Sequence, residues 1–259
     1  MRDYTIGAVR GLANSPLALQ PVQKMYVNHV NTAEIYDVAT RTPDTTLTNN
    51  AGSQGVDWGF DGNIYYTHGD GSVRKRDGLT GADLGTLIPA GTFVNGFDIA
   101  FGPGNSLYVS DSPPVGSSVK RFDATTGAFL NVAATGARVR GIDVDTNGVL
   151  WVADRADGTV RRWDGIAGTE LDALPLISTP GEKNYLDFGP NNDLFVDNFP
   201  NKTVERFNRT TGALLGSFGT IGSPIGLSLT DDYGFVAFPE PASLALLGLG
   251  GLMMIRRKR

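Results

Sequence analysis

Short apolar strands separated by polar turns recur along most of the chain. An apolar residue, an aromatic residue and a further strand-forming residue occur together at intervals of 39 to 44 residues, which is typical of a buried β-strand. A fixed period of this length predicts a protein built from repeated units. The triplets are Met25-Tyr26-Val27, Ile64-Tyr65-Tyr66, Leu107-Tyr108-Val109, Leu150-Trp151-Val152, Leu194-Phe195-Val196 and, more weakly, Phe235-Val236-Ala237.

Each unit is predicted to contain four strands. A first strand and a turn such as Asp61-Gly62-Asn63 precede the triplet, which forms the second strand. The third strand has the form Val119-Lys120-Arg121-Phe122, and we expect its side chains to alternate between core and solvent. In the turn that follows, such as 123–127, the first residue should accept backbone hydrogen bonds and the glycine should adopt a left-handed conformation. A fourth strand completes the unit.

Four short strands repeated in this way predict an all-β fold, the β-propeller, because one sheet cannot bury both of its faces alone. A β-sandwich is the alternative, but its strands would not recur in a fixed order. We expect a six-bladed propeller over residues 1–237 with an incomplete last blade, to which Asp3 to Ala8 could add an outer strand. The units start near Gly11, Gly55, Gly96, Gly141, Tyr185 and Gly226, and the last has only two strands.

In their motifs, the units resemble NHL and related six-bladed propeller repeats. The similarity rests on the Asn/Asp-Gly turn, on the segment from Leu107 to Asp111 and on the third-strand pattern, and it covers roughly Gly11 to Phe238. It implies the propeller fold, but propellers serve many functions, so it does not identify one.

The last residues of the chain differ from the repeats. Pro239, Glu240 and Pro241 interrupt regular structure, and the 14 uncharged residues from Ala242 through Leu247 to Ile255 favour a short apolar helix. This run is shorter than the roughly 20 residues that a membrane crossing needs. A buried helix of a soluble domain is the alternative, but the terminal cations disfavour it. The basic end, expected to stay cytoplasmic, is formed by Arg256, Arg257, Lys258 and Arg259.

This segment, Phe238 to Arg259, resembles the PEP-CTERM sorting signal of exported bacterial proteins. It shares the Pro-Glu-Pro triplet, the following Ala-Ser, the short apolar helix and the Arg-rich end. The resemblance implies export, association with the inner membrane before processing by an exosortase-type enzyme, and a final place at the cell surface or in the extracellular matrix. Residues 1–10 contain no apolar signal-peptide core. Either export uses another route or, as we expect, the true start lies upstream of Met1.

Composition narrows the possible partners. The net charge of the 259 residues is −5, and the last four residues contribute +4, so the remainder carries about −9. An acidic body disfavours nucleic acid as a ligand. The chain has no cysteine, which excludes disulfides, thiolate metal sites and a cysteine nucleophile.

Four aspartates on the first strands are the candidate site, because first strands line the axial channel of a propeller. Their carboxylates could bind a hard cation such as Ca²⁺, or raise one another's pKa and supply a general acid or base. Alternatively, they accept backbone hydrogen bonds from the next blade or face a water-filled channel, and this structural role is the one we favour. These residues are Asp57, Asp98, Asp143 and Asp187.

No complete catalytic set is evident in the sequence. Gluconolactonase-like propellers hold a divalent cation with Glu, Asn and Asp, and no glutamate of the body occupies a corresponding position. Virginiamycin B lyase-like propellers rely on histidine, and only His29 and His68 are present. A Gly-x-Ser-x-Gly motif is lacking. We therefore predict a non-catalytic, exported propeller that binds a protein or glycan of the envelope or matrix. A metal-dependent lactonase-like hydrolase or lyase at the channel, and a chiefly structural body, are the alternatives.

Overall fold

A computed structural model describes the strand backbone of residues 12–14, 24–28, 32–37 and 42–48, and residues 52–78, 80–145, 147–171, 177–178, 181–188, 193–201 and 203–218. These residues form strands and turns without any helix, so none of them belongs to a helix that could cross a membrane. The predicted sixth unit from Gly226, the sorting motif Pro239–Pro241, the predicted helix of residues 242–255 and the basic cluster 256–259 lie outside the described residues.

The described strands form five antiparallel sheets, or blades, in chain order. Blade 1 comprises β1 (Leu12–Asn14), β2 (Lys24–Asn28), β3 (Thr32–Asp37) and β4 (Thr42–Thr48). Blade 2 comprises β5 (Val56–Trp58), β6 (Ile64–Thr67), β7 (Val73–Arg76) and β8 (Asp83–Ile88). Blade 3 comprises β9 (Gly96–Gly102), β10 (Ser106–Asp111), β11 (Ser118–Asp123) and β12 (Phe129–Thr135).

Blade 4 comprises β13 (Val139–Val144), β14 (Leu150–Asp154) and β15 (Thr159–Asp164), with the short β16 (Thr169–Glu170) and β17 (Ile177–Ser178) both pairing with β15. Blade 5 comprises β18 (Leu186–Phe188), β19 (Leu194–Asn198), β20 (Thr203–Phe207) and β21 (Leu214–Phe218). Strands that are consecutive in the chain are neighbours in each sheet, apart from the two short strands of blade 4. The first strands β1, β5, β9, β13 and β18 contact one another in that order, so the fold is a β-propeller with the first strands innermost.

The hydrophobic core lies between successive blades. The Tyr65 ring of β6 packs edge-on against Phe101 of β9, with centroids 4.9 Å apart, and each of the main core clusters combines side chains of two neighbouring blades. Between blades 4 and 5, Trp151 packs against Phe188 in the same edge-on manner, with ring centroids 5.7 Å apart. The aromatic residue of the repeated triplet thus covers the inner strand of the next blade, which confirms that the blades bury their faces by stacking.

The turns after the third strands have the predicted geometry. Asp123 Oδ1 accepts hydrogen bonds from Thr125 N at 3.0 Å and Thr126 N at 2.7 Å, and Gly127 is left-handed with φ of 71°. The turn beginning at Asn208 repeats both features, with φ of 69° at Gly212. Because only a short polar side chain and a glycine satisfy this turn, its recurrence in the sequence predicted it correctly.

The expected alternation along the third strands is wrong in detail. Val119 and Phe122 are buried, but Lys120 and Arg121 between them are both half-buried. The pairing of β11 with β12 shifts register on each side of these two residues. Such irregularities twist the strand and turn consecutive side chains partly out of strict alternation.

Candidate functional site

The four predicted aspartates lie on consecutive inner strands. Asp57, Asp143 and Asp187 occupy the same register position, each opposite the aromatic residue of its own triplet. Asp98 lies on β9, two residues before Ala100, which fills that register position in blade 3. The four side chains are only partly exposed. The negative charges of Asp57 and Asp187 both act on Asp98 and on Asp143, so the structure brings the four carboxylates into one electrostatic neighbourhood.

Asp57 and Asp98 connect their blades to the next blade. Asp57 Oδ2 accepts a hydrogen bond from Phe101 N at 3.0 Å, and its Oδ1 accepts one from Trp58 N at 2.7 Å. One blade on, Asp98 Oδ2 accepts from Ile142 N at 3.0 Å, and its Oδ1 accepts from Ile99 N at 2.9 Å. The two carboxylates therefore satisfy backbone amides of two inner strands at once, as the structural interpretation predicted.

Asp143 and Asp187 are arranged differently. Each accepts a hydrogen bond from the amide of the residue that follows it, at 2.7 Å, through Oδ1. The two carboxyl groups also interact with each other, which acts to raise the pKa of Asp143 and to lower that of Asp187. Two carboxyl groups this close do not both ionise readily, so the pair holds a shared proton at a pH where isolated aspartates are charged.

Enclosure by the protein raises the pKa of the whole group. Burial lifts the pKa of Asp57 and of Asp98 from the ordinary 3.8 to about 7, even though their backbone hydrogen bonds act in the opposite direction. Burial likewise raises the pKa of Asp187 to about 7. The pKa of Asp143 lies well above its ordinary value because of burial first and then the charges of Asp187 and Asp57. The group can therefore exchange protons near neutral pH.

The geometry does not assemble these aspartates into a cation site. Within the described residues, no group of three or more His, Asp or Glu side chains is placed so that it could hold a metal ion. Asp57 and Asp98 direct both oxygens to backbone amides, whereas Ca²⁺ takes six to eight oxygen ligands. A calcium site at this position stays a prediction from the sequence.

The end of the propeller at which the inner strands begin carries a surface that the sequence did not single out. The turn between the second and third strands lies at this same end, as the pairing of Asp111 with both Gly96 and Ser118 shows. We call this surface the upper rim and the opposite end the lower rim. The upper rim comprises residues 92–95, 112–117, 136–140, 155–158, 181–185 and 198–199.

Hydrogen bonds connect the loops of the upper rim in blades 3 and 4. In blade 3, Ser112 N donates to Asn95 O at 2.9 Å. The turn of that blade reaches blade 4 through Ser117 Oγ, which accepts from Val139 N at 2.8 Å. Within blade 4, Arg155 N donates to Arg138 O at 3.0 Å. The loops therefore present a pre-formed surface rather than independent mobile segments.

Two kinds of side chain mark the upper rim. Val94 and Val115 are 81% and 86% exposed, although the loops that carry them are hydrogen-bonded. Three arginines, Arg138, Arg140 and Arg155, lie on the same rim, and the loop that carries Val115 is hydrogen-bonded to Val139 between the first two. In the sequence, the arginines are visible as the segment Arg138-Val139-Arg140 at the start of blade 4. The corresponding segment of blade 3, Asn95-Gly96-Phe97, carries no charge.

Other charged residues serve the fold. Lys183 is fully buried and its Nζ lies 2.8 Å from Glu205 Oε2, while Asn198 Nδ2 donates to the other oxygen of Glu205 at 2.9 Å. His68 Nδ1 lies 2.9 Å from Asp70 Oδ1 at the end of the second strand of blade 2. His29, the second histidine, lies outside the described residues.

Comparison with known proteins shows the fold alone. No family model and no curated protein matches the sequence. The structure is similar to a chain of the nidogen/laminin complex, at 14% identity and a TM-score of 0.65, over 81% of this chain and 79% of that one. A protein of unknown function from Bacteroides caccae is 16% identical, with a TM-score of 0.60 over 77% of this chain and 73% of that one. A chain of the mitotic checkpoint complex is 15% identical, with a TM-score of 0.62, over 83% of this chain and 64% of that one.

Proposed function

We propose that this protein is an exported propeller of the cell surface or extracellular matrix that binds a protein or glycan partner through its upper rim. In this proposal the segment 238–259 acts as a PEP-CTERM sorting signal, which an exosortase-type enzyme processes at the inner membrane. The body is left at the surface after processing, and its function is recognition rather than catalysis.

The observation that carries the binding function is the exposure of Val94 and Val115 on rigid loops. Val94 N and Asn95 N both donate to Asp111 Oδ1, at 3.1 and 2.9 Å, and this fixes the first loop. Asn95 Nδ2 donates to Ser112 O at 3.0 Å, which ties the second loop to the first. Apolar side chains held in water by an ordered backbone lose little conformational entropy when a partner covers them. Two of the similar propellers were solved within protein complexes, which supports the proposal by analogy.

Site-specific crosslinking tests the proposal. A photoreactive amino acid is placed at position 94 or 115 of the full chain, and at Ile166 as the control, because Ile166 is 52% exposed in a turn of the lower rim. After illumination on intact cells, we expect adducts at 94 and 115 and none at 166. Protease and glycosidase digestion then distinguishes a protein adduct from a glycan adduct. Equal labelling at all three positions, or none at 94 and 115, would overturn the proposal.

A second candidate is lactonase-like hydrolysis or lyase chemistry at Asp143 and Asp187. It is favoured by one observation: these two carboxyl groups interact with each other, and burial raises the pKa of both. A pKa near 7 suits a general acid or base. The test is turnover of simple lactones with and without Ca²⁺. Activity that is lost in Asp143→Ala but kept in the surface variant Asp83→Ala would establish this candidate over the first.

A further inference from the structure

Three arginines converge on the upper rim. Arg138 and Arg140 flank Val139 at the start of β13, and Arg155 follows the end of β14, whose Asp154 pairs with Val139. The charges of Arg155 and Arg138 both reach Arg140 and, after burial, are the next causes that lower its pKa to about 10. Three like charges are therefore close enough to repel one another.

Little in the described part of the protein compensates this charge. Glu182 binds Arg155, accepting from its Nε at 2.7 Å, and its charge also acts on Arg140. No described carboxylate forms an ion pair with Arg138 or Arg140. The nearby carboxylate of Asp154 is occupied by the backbone amides of Ala137 and Arg138. The Nε atoms of Arg138 and Arg140 are buried, and no described residue provides them with a hydrogen-bond acceptor. Buried donors without an acceptor are costly, so the described part of the protein does not fully satisfy these two guanidinium groups.

Arg140 is held in a fixed orientation. Its Nη1 donates to Asn184 Oδ1 at 3.0 Å, and its guanidinium lies 4.3 Å from the centre of the Phe97 ring. Phe97 is in turn supported by Tyr185, whose ring centre is 5.1 Å away. A planar guanidinium that is pre-oriented in this way can form paired hydrogen bonds to a carboxylate at low entropic cost.

The charge of the rim is opposite to that of the body, which carries about −9. An acidic ligand is repelled by most of the surface and attracted only where the arginines lie, so the field of the body restricts binding to this place. Val115 lies in the loop that is hydrogen-bonded to Val139, and Val94 lies in the loop that is bonded to that one, so the same rim offers exposed apolar side chains as well as the charges. A ligand with both carboxylates and apolar side chains fits this surface better than a polyuronate chain, which has no apolar side chains.

We infer that the upper rim binds an acidic segment of a protein partner, with Arg138, Arg140 and Arg155 contacting its carboxylates and Val94 and Val115 contacting its apolar side chains. This inference rests on the proposed binding function and specifies the partner. It requires that binding weaken with salt, because the partly exposed charges are screened.

A fluorescent peptide of alternating Glu and Leu tests the inference against the full-length protein. Binding is measured by anisotropy at 50 and 300 mM NaCl, beside a peptide with Gln in place of Glu and beside polygalacturonate. We expect the Gln peptide to bind at least tenfold more weakly, and the Glu peptide to lose at least tenfold in affinity in the double variant Arg138→Gln/Arg140→Gln. Arg121→Gln is the matched control, because Arg121 donates to Ser106 at the lower rim, and its affinity should stay unchanged.

The outcomes separate the inference from the proposed function. Arg138→Gln alone is included because Arg140 also packs on Phe97, and unfolding midpoints identify any variant that has lost its fold. Equal affinity for the Glu and Gln peptides, or an equal loss in Arg121→Gln, would overturn the inference. If the protein binds polygalacturonate but does not bind the Glu peptide, the partner is an acidic glycan and the inference of a protein partner is wrong. If crosslinks still form at positions 94 and 115 but the arginine variants bind the Glu peptide with unchanged affinity, only this inference is wrong. If no crosslinks form at these positions, the proposed function is wrong as well.

Discussion

Asp143 and Asp187, from neighbouring blades, lie close enough for each carboxyl group to shift the pKa of the other. They occupy the same register position on adjacent inner strands, so the repeat itself brings the two acids together. Burial raises the pKa of Asp187 to about 7 and that of Asp143 well above its ordinary value. The folded protein therefore binds protons that the unfolded chain releases, which determines how its stability responds to pH.

We expect the free energy of unfolding to fall as the pH rises from about 4 to about 7. In this window the unfolded chain has lost the protons of these aspartates, near pKa 3.8, whereas the folded protein keeps them until about pH 7. Each such proton contributes a slope of up to about 1.4 kcal/mol per pH unit. Below pH 4 the trend reverses, because the pKa of Asp61 is lowered to about 2 by its hydrogen bonds, the one from Lys75 above all, in spite of partial burial. Urea unfolding at pH 5 and pH 8 measures the slope, and greater stability at pH 8 would contradict it.

Substitution by asparagine should have opposite effects at Asp143 and Asp98. In Asp143→Asn the amide oxygen still accepts from Val144 N and the NH₂ group donates to Asp187, so the variant mimics the protonated residue and should be more stable at pH 8 by about 1 kcal/mol. Asp98→Asn places an NH₂ group against one of two backbone donors and should cost about 1–3 kcal/mol. Urea unfolding at pH 8 compares them. Shifts of the same sign in both variants would refute the assigned hydrogen bonds.

Gly141 should not tolerate alanine. A Cβ at this position would lie 2.6 Å from the Cα of Tyr185 in the next blade, so the inner strands would have to separate. We expect Gly141→Ala to destabilise the protein by about 1–3 kcal/mol. Gly96→Ala is the matched control on an inner strand, because its Cβ would meet no atom closer than 3.4 Å. Thermal unfolding of both variants measures the difference, and similar midpoints would show that the blades can move apart at no cost.

The sorting role of the C-terminal segment is tested by removing residues 239–259. We expect the truncated protein to appear unprocessed and freely soluble, because it lacks the apolar run and the basic end. Cell fractionation and intact mass follow its location and processing, with Pro239→Ala/Pro241→Ala as a variant that keeps both apolar run and charge. An unchanged location and mass in the envelope fraction would remove the sorting proposal.

The sequence predicted the blades because each repeated residue has one physical role. The aromatic side chains of Tyr65 and Trp151 are covered by the next blade, so their recurrence predicts the second strand of each sheet. The polar residue and the glycine after each third strand close a tight turn, so their recurrence predicts where the fourth strand begins. It also placed Asp57, Asp143 and Asp187 at one register position, because the interval to the second strand is constant.

The arginine cluster could not be found in the same way. Arg155 is separated from Arg138 by a full hairpin, and the hydrogen bond that joins them appears only when the two loops share one rim. Their charge is also concealed in an acidic composition. Residues that occur once, and not in every unit, lack the periodic signal on which the rest of the prediction depended.

The carboxylates that join the blades always precede, in the chain, the amides that they accept from. The amide of Phe101, which donates to Asp57, and the amide of Ile142, which donates to Asp98, are each synthesised 44 residues after the aspartate. As the chain emerges from its N-terminus, the inner strands of blades 2 and 3 each keep a negative charge without its partner amide until the following blade forms. A growing propeller therefore presents a charged, hydrated edge to other partly folded copies, and this edge opposes aggregation until the next blade of the same molecule covers it.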